Sequence, residues 1–300
     1  MEYLDGRVPV QILRIWMPVR HRLATLTVLS PCVIWLVLFF LIPLFIVLAY
    51  SFARPSTYGG VIFTFTMQNY ARFFAPLYLR IFLTSLWVSV ATTAVCLLVG
   101  YPVAYYIATR GSKWKSTLLV LVILPFWTST LVRTYAWMTI LRTEGIVNTL
   151  LTSLGIIQNP LKLLYTPGAV ILGFVDIYLP FMILPLYTSI EKMDFSLLEA
   201  ALDLGANRVK AFLNVTLPNT MPGVIAGVML VFIPTIGSFV VPDLLGGSKV
   251  FMIGNLIQNQ FLQARNWAFG SAASFILLAF VLACMFIYFK FSGQERIELM

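Results

Sequence analysis

Six long runs of apolar residues decide what this chain can fold into. A helix that crosses a bilayer needs about 20 mostly apolar residues. None of the runs alternates with the period of two that is typical of barrel strands, so helices are the remaining way to span lipid. We therefore predict an all-α membrane protein with six transmembrane helices. The runs cover approximately residues 29–51, 82–108, 117–141, 168–189, 220–242 and 269–289.

The composition supports a membrane location and excludes several other classes of protein. Of the 300 residues, 60% are hydrophobic and only 10% are charged, whereas soluble domains carry about 25% charged residues. The three cysteines lie scattered within apolar runs, which argues against a disulfide framework or a zinc site. The single histidine, His21, gives no basis for a metal cluster or a catalytic triad. We find no catalytic constellation, and a membrane enzyme is disfavoured.

Lys and Arg residues in the connections predict the orientation of the chain. When both termini are placed in the cytoplasm, the cytoplasmic segments contain more Lys and Arg than the outer segments. The short connection RGSKWK, residues 110–115, weighs most in this comparison. The predicted organisation is a cytoplasmic N-terminal segment (1–28), a six-helix domain (29–289) and a cytoplasmic tail (290–300). The apolar run after the basic N-terminus is too long for a signal peptide, so we interpret it as a retained first span. The expected location is the bacterial inner membrane.

A charged helical segment, residues 195–218, lies between the fourth and fifth apolar runs. It contains the sequence SLLEAALDLGANRVKAFLNVTLP. Ser196 and Glu199 have the spacing of a capping box, and Gly205 can adopt the left-handed conformation that ends a helix. A second short helix is expected to stop at Pro218. The predicted helix–Gly–helix unit would project into the cytoplasm, where it could dock into a groove of another protein.

This segment resembles the EAA motif of ABC importer permeases, the membrane subunits of binding-protein-dependent import systems. Val215 stands where the family usually has Ile. The resemblance implies a type I importer fold and a coupling helix that sits in a cleft of a cytoplasmic ATPase. Glu199 could contact that ATPase or only cap its own helix. The residues that carry the motif are Glu199, Ala200, Ala201, Gly205, Leu217 and Pro218.

The same resemblance implies the other components of the transport system. They are a second permease subunit, identical or different, two ATPase subunits and an extracytoplasmic solute-binding protein. The chain has no G-x-x-x-x-G-K-[ST] phosphate loop, so we expect no cofactor in it, and ATP with Mg²⁺ is expected on the partner. ATP hydrolysis would then belong to a separate subunit, and this chain would not itself be an enzyme.

Further stretches resemble the permease subunits of spermidine/putrescine importers. They are FTMQNYARFF, LVRTYAWMTILRTEGIVN and VVPDLLGG. Permeases for other organic solutes, such as aminoalkylphosphonates, share similar stretches. In polyamine permeases the position before FVVP is often acidic, whereas here it is Ser238. The resemblance thus favours a polyamine or a related amine-bearing solute, and Ser238 weakens that choice.

Two ionisable residues lie inside predicted spans, where charge is costly and usually functional. A rise of 1.5 Å per residue places Arg133 and Asp176 within about 6 Å of each other in depth, so they could pair. They could form a structural ion pair, Arg133 could snorkel outward, or both could line a substrate path. Tyr135, Trp137 and Tyr178 could add cation–π contacts to an amine, or anchor the helices at the interface.

An alternative function is an ion-coupled secondary transporter that works without an ATPase partner. That class predicts several buried carboxylates near the bilayer centre and inverted repeats, and it leaves the charged segment without a role. Glu144 and Asp243 lie just past the third and fifth runs. They could meet a cationic solute or the delivering protein, or be ordinary solvated loop charges.

Overall fold

A computed structural model describes residues 30–56 and 60–294 of the chain. The predicted N-terminal segment and residues 295–300 of the predicted tail lie outside the described residues. Two short antiparallel strands, β1 (Arg54–Pro55) and β2 (Val61–Ile62), form a ribbon. The helices are α1 (Ser30–Ser51), α2 (Gln68–Phe73), α3 (Pro76–Thr109), α4 (Ser112–Ile123), α5 (Thr130–Leu141), α6 (Ile146–Ser153), α7 (Pro167–Glu191), α8 (Ser196–Asp203), α9 (Arg208–Gly237), α10 (Ile253–Leu262) and α11 (Trp267–Gln294).

The predicted all-α membrane architecture is confirmed. Within the described residues, α1, α3, α7, α9 and α11 are each long and apolar enough to cross a membrane. A sixth crossing is available if α4 to α6 count as one bent span. The first helix, α1, has no buried residue in its most apolar window, so its side chains are exposed to the surroundings on nearly all sides.

The third predicted span is not one straight helix. Helix α4 passes into a 3₁₀ turn at Leu124–Trp127, and the chain then bends by 88° before α5. Pro125 explains the break because it lacks the backbone N–H that a continuing helix needs. The Thr128 hydroxyl donates to the Pro125 carbonyl at 2.7 Å, which satisfies an acceptor freed at the break. The depth of Arg133 was calculated for one straight helix, and that assumption is wrong because the chain bends before α5.

Two other prolines are accommodated by a wider turn within a continuous helix. A π-helical turn at Val37–Leu41 precedes Pro43, and another at Phe212–Thr216 precedes Pro218. Leu217 donates to the Phe212 carbonyl, five residues back. Such a turn shifts the hydrogen-bond pattern by one residue just before a proline that cannot donate. The prediction that the second helix stops at Pro218 is wrong, because α9 continues to Gly237.

The centre of the bundle consists of α3, α7 and α9. Cys96 and Ala104 of α3, Met182 and Leu186 of α7 and Val231 of α9 are fully buried in one cluster. A hydrogen bond of 2.8 Å between the hydroxyl groups of Tyr101 and Thr220 links α3 to α9. Small residues at crossings let membrane helices approach closely. The three helices therefore form a tightly packed unit.

Gly223 lies at a close approach of α7 and α9. A Cβ atom at this position would overlap the Cβ of Ser189 and lie 2.7 Å from the Pro185 carbonyl oxygen. We expect Gly223→Ala to push the helices apart and to destabilise the protein by about 1–3 kcal/mol, as overpacking does elsewhere. Thermal unfolding in detergent measures this. Gly237→Ala is the control, because its Cβ would meet nothing closer than Leu277 at 3.9 Å. Equal melting temperatures would contradict the close approach.

Candidate functional site

The predicted docking segment forms a helical projection at one end of the bundle, termed the α8 end. Helix α8 follows the C-terminus of α7 and precedes α9. Glu199 lies in its first turn, and Glu199 and Ala200 are exposed, whereas Ala201 is half-buried. The Glu199 carboxylate makes no hydrogen bond or ion pair with any residue that the structure describes. This side chain is free to contact a partner.

The predicted capping box is wrong. Ser196 is the first residue of α8, and the preceding Phe195 makes no side-chain cap. The carboxylate of Asp194 caps the helix, because its Oδ1 atom accepts a hydrogen bond of 3.0 Å from the Ser196 amide. Glu199 therefore has no capping role. The sequence carried this signal as well, since Asp is among the residues that favour helix starts.

Gly205 ends α8 as predicted. Its φ angle is +87°, in the left-handed region that L-residues with a side chain rarely adopt. Its amide donates to the Leu202 carbonyl at 2.9 Å, and the Ala206 amide donates to the Ala201 carbonyl at 3.0 Å. These two bonds define a Schellman motif. A Cβ at Gly205 would meet nothing within 4 Å, so only the backbone conformation requires glycine.

The remaining motif residues belong to the start of α9. Leu217 and Pro218 lie within that helix, just after its π-helical turn. The Asn207 side chain begins α9 by accepting a hydrogen bond of 2.8 Å from the Lys210 amide. Because α9 is continuous from the projection into the bundle, a displacement of α8 can reach the membrane-spanning part through a rigid element.

Four apolar residues close to Gly205 in the chain, which the sequence reasoning did not single out, are exposed. Leu204 is 89% exposed and Val209 is 65% exposed, and Leu197 and Leu202 are also exposed. Apolar side chains at this density outside the predicted spans favour a protein interface. The sequence did contain a signal, because Leu204 directly precedes Gly205 and Val209 follows it by four residues.

The cap on α8 has a pH dependence that can be measured. Hydrogen bonds from the Ser196 amide and hydroxyl lower the pKa of the Asp194 carboxyl, against a smaller opposing effect of burial. A lowered pKa stabilises the folded state at neutral pH, and that stabilisation disappears as the pH falls through the lowered value. We expect the protection of the amides at the start of α8, measured against their intrinsic exchange rates at each pH, to fall below about pH 4.

In Asp194→Asn this specific pH dependence should be absent. Asp203→Asn, at the other end of α8, removes one carboxylate from the same helix and should retain it. Hydrogen exchange followed by mass spectrometry across α8 compares the three proteins. Identical pH profiles for the unmodified protein and Asp194→Asn would contradict the assignment of the cap.

The structure places Arg133 and Asp176 together. Helix α5 carries Arg133 and α7 carries Asp176, with Nη1 and Oδ2 3.7 Å apart. The same Nη1 donates to the Asp176 carbonyl at 3.4 Å, and the side chains are 12% and 29% exposed. Arg133 Nε and Asp176 Oδ2 have no hydrogen-bond partner among the described residues. This loose, half-satisfied pair keeps hydrogen-bonding capacity for water or a polar solute.

The other predicted path residues divide into separate environments. The Tyr178 hydroxyl lies near the Ser238 side chain, while its ring stacks on Phe174. Asp176 and Tyr178 are two residues apart on one helix, so they point about 200° apart. Trp137 packs against the core, and Tyr135 is 54% exposed. The six residues therefore do not form a single lining.

The two acidic loop residues also differ in their surroundings. Glu144 lines a cavity of about 730 Å³ between the α5–α6 turn and the segment before α7. Asp243 is exposed in the π-helical turn Pro242–Gly246, which packs on α7. Both lie at the end of the bundle opposite the α8 end.

The apolar helices and the helical projection with an open apolar face are those of a multi-span membrane protein. This chain belongs to the family of binding-protein-dependent transport system inner membrane components, whose family model matches residues 97–293. It is therefore a membrane component of an ABC importer.

Curated relatives agree with this family. A spermidine/putrescine transport system permease protein, PotB, from Haemophilus influenzae is 48% identical over 256 residues, covering 85% of this chain and 90% of that protein. The PotB protein of Escherichia coli is 44% identical, covering 88% of this chain and 97% of that protein. The Escherichia coli inner membrane ABC transporter permease protein YdcU is 35% identical, covering 75% of this chain and 74% of that protein.

Solved structures share the fold. A bacterial ABC transporter involved in the import of the acidic polysaccharide alginate has a chain with a TM-score of 0.65 at 17% identity, covering 91% of this chain and 98% of that one. The alginate transporter in complex with a pentasaccharide-bound periplasmic protein gives a TM-score of 0.69 at 18% identity, covering 90% and 94%. The predicted type I importer fold is thereby confirmed.

Proposed function

We propose that this permease carries spermidine, putrescine or a closely related amine across the bacterial inner membrane. The observation that carries the proposal is the 48% identity to a spermidine/putrescine permease over 85% of this chain. Family membership also favours ATP-driven import over the ion-coupled alternative. The Asp176 carboxylate, with its unused hydrogen-bonding capacity, offers a polyamine an anionic partner inside the bundle.

In this proposal the α8 end faces the cytoplasm, and both termini lie on that side. The basic connection between α3 and α4 lies at the same end, because Lys115 forms an ion pair of 3.1 Å with Glu191 at the end of α7. An excess of Lys and Arg in short loops favours the cytoplasmic side. The opposite end, with Glu144 and Asp243, then faces a solute-binding protein.

The energy for transport comes from partners in this scheme. Two ATPase subunits bind ATP with Mg²⁺ and hold α8 and its exposed apolar residues in a cleft, and a second permease subunit completes the path. Closure of the ATPases moves α8, and the continuous α9 transmits that movement to the central unit of α3, α7 and α9. The Arg133–Asp176 pair on one side of α7 is proposed to line the substrate path. Tyr178 and Ser238 on another side of α7, and the aromatic residues Tyr135 and Trp137, are proposed to contribute to that path at separate points.

Co-purification tests the docking part of this scheme. The tagged chain is expressed with the other components of its transport system, solubilised in detergent and captured. We expect an ATPase subunit in the eluate, and less of it when Glu199 is replaced by Lys. Absence of any ATPase subunit from the unmodified complex would contradict the proposed coupling.

A further inference from the structure

A basic cavity lies at the end of the bundle opposite the α8 end. It has a volume of about 730 Å³, and its lining contains the cations Arg142, Lys162 and Lys249 against one carboxylate, Glu144. All three cations are exposed, and none forms an ion pair with any residue in the described ranges. The cavity therefore presents uncompensated positive charge to the surroundings.

The frame of this cavity is fixed by buried hydrogen bonds. Asn148, 1% exposed, donates from Nδ2 to the carbonyls of Arg142 at 3.2 Å and Leu161 at 2.9 Å. Its Oδ1 accepts from the Leu161 amide at 2.9 Å. One side chain thus joins the segment that carries Arg142 to the segment that carries Lys162. The backbone positions of the two cations are therefore fixed relative to each other before any partner arrives.

The third side of the cavity is fixed in a similar way. Tyr165 has a φ angle of +60°, and its amide donates to the Leu245 carbonyl at 2.9 Å. Gly247 lies directly against the Tyr165 ring, where a Cβ would approach Cδ1 to 2.8 Å. These contacts bind the segment before α7 to the turn that carries Lys249. Such preorganisation reduces the ordering cost of binding.

The sign of the charge excludes a polyamine as the occupant, because three cations would repel it. An acidic surface fits instead. Helix α7 has 25 residues, so the cavity at its N-terminus lies about 37 Å from the α8 end. It is therefore remote from the predicted ATPase contact and lies on the side proposed for the solute-binding protein.

A protein that captures a polyamine needs carboxylates around its binding cleft to attract and hold a polycation. The rim of such a cleft meets the permease when the solute is delivered. We propose that Arg142, Lys162 and Lys249 form a docking site for an acidic rim segment of the solute-binding protein. This inference rests on the proposed function. It adds a contact surface and explains how a permease for a cation can carry a basic outer cavity.

Charge reversal tests the docking site. The complete transporter, with its ATPases and second permease, is placed in phosphatidylcholine nanodiscs, and binding of the purified solute-binding protein is measured at low and high salt. We expect the double variant Lys162→Glu/Lys249→Glu to raise the Kd at least about tenfold at low salt. The Kd of the unmodified complex should rise with salt, whereas that of the variant should change less.

Arg265→Glu is the matched control, since Arg265 is an exposed cation outside the cavity lining, in the turn between α10 and α11. It should bind nearly as the unmodified complex does. Unchanged binding by the double variant, or an equal loss in Arg265→Glu, would overturn the docking site while leaving the proposed function intact. No binding to the unmodified complex would overturn both.

A lipid phosphate is the competing occupant, and the same samples distinguish it. If a lipid phosphate occupies the cavity, nanodiscs that contain phosphatidylglycerol would stabilise the unmodified complex against heat but would not stabilise the double variant. Binding of the solute-binding protein would be the same for both. That pattern would assign the cavity to anionic lipid and overturn the docking site.

Discussion

Gly205→Val is expected to reduce ATP-dependent uptake about tenfold while leaving the chain folded and inserted. Gly205 holds a φ angle of +87°, and an L-residue in the left-handed region costs about 1–2 kcal/mol, more when it is β-branched. A difference of 1.4 kcal/mol is a factor of ten in an equilibrium. The variant therefore populates the Schellman motif less, and α8 loses its fixed angle to α9. Uptake into proteoliposomes and ATPase co-purification measure the effect.

The chain offers a closely matched control for this variant. Gly155 has a φ angle of +69°, and a Cβ there would also meet nothing within 4 Å. It ends α6 with the same two hydrogen bonds, from Gly155 to Thr152 and from Ile156 to Leu151. Gly155→Val carries the same backbone penalty at the opposite end of the bundle. Equal losses of uptake in the two variants would contradict a specific role for the α8 projection.

Asp176→Asn is expected to reduce uptake at least about tenfold while assembly with the ATPase persists. The variant removes the carboxylate proposed to meet the amine, and it leaves the Arg133 guanidinium, which is only 12% exposed, without its counter-charge. Breaking a buried ion pair typically costs about 3–5 kcal/mol, and the partial exposure of Asp176 reduces that figure. Uptake must therefore be compared at equal amounts of assembled complex.

A double variant separates a structural pair from a transport role. Arg133→Gln/Asp176→Asn removes both charges of the pair, so neither residue is left as an uncompensated charge. If the carboxylate serves the substrate, folding recovers and uptake stays low. Recovery of uptake in the double variant would show that the two residues form only a structural pair. Glu191→Gln is the control for losing one carboxylate, because its ion pair with Lys115 is more exposed and should contribute little.

The sequence predicted the helices well because lipid leaves a chain few alternatives. A backbone that cannot hydrogen-bond to a bilayer must satisfy itself within a helix, so each apolar run was expected to be helical. The response of a helix to proline was less predictable. Pro125 breaks the third span, Pro180 lies inside the continuous α7, and Pro218 follows a π-helical turn. These outcomes depend on which neighbouring groups satisfy the freed carbonyls, and the sequence does not contain that information directly.

The candidate sites show the same division between local and long-range information. Gly205 was identified from its own segment, because a glycine at the end of an apolar helical pattern has a local meaning. The pairing of Arg133 with Asp176 followed from their similar depth, although the helix carrying Arg133 is bent. The basic cavity could not be predicted, since Arg142, Lys162 and Lys249 meet only after the turn following α9 packs against the segment before α7.

The identity of the capping residue was missed for a simpler reason. A start with Ser196 as the cap and Glu199 reaching back to it is reasonable for α8, and so is a start with Asp194 as the cap of the Ser196 amide. The two starts differ by one or two residues in where the helix begins. The structure selects Asp194. This choice matters because it leaves Glu199 exposed on the projection, available to a partner.

The most direct test is uptake of radiolabelled spermidine into proteoliposomes that contain this chain, its second permease and the ATPase subunits, with the solute-binding protein added. Transport should require ATP, the binding protein and all membrane components, and unlabelled putrescine should compete while an aminoalkylphosphonate should not. Uptake that is driven by an ion gradient in the absence of the ATPase subunits, or ATP-dependent uptake that excludes polyamines, would contradict a polyamine importer permease.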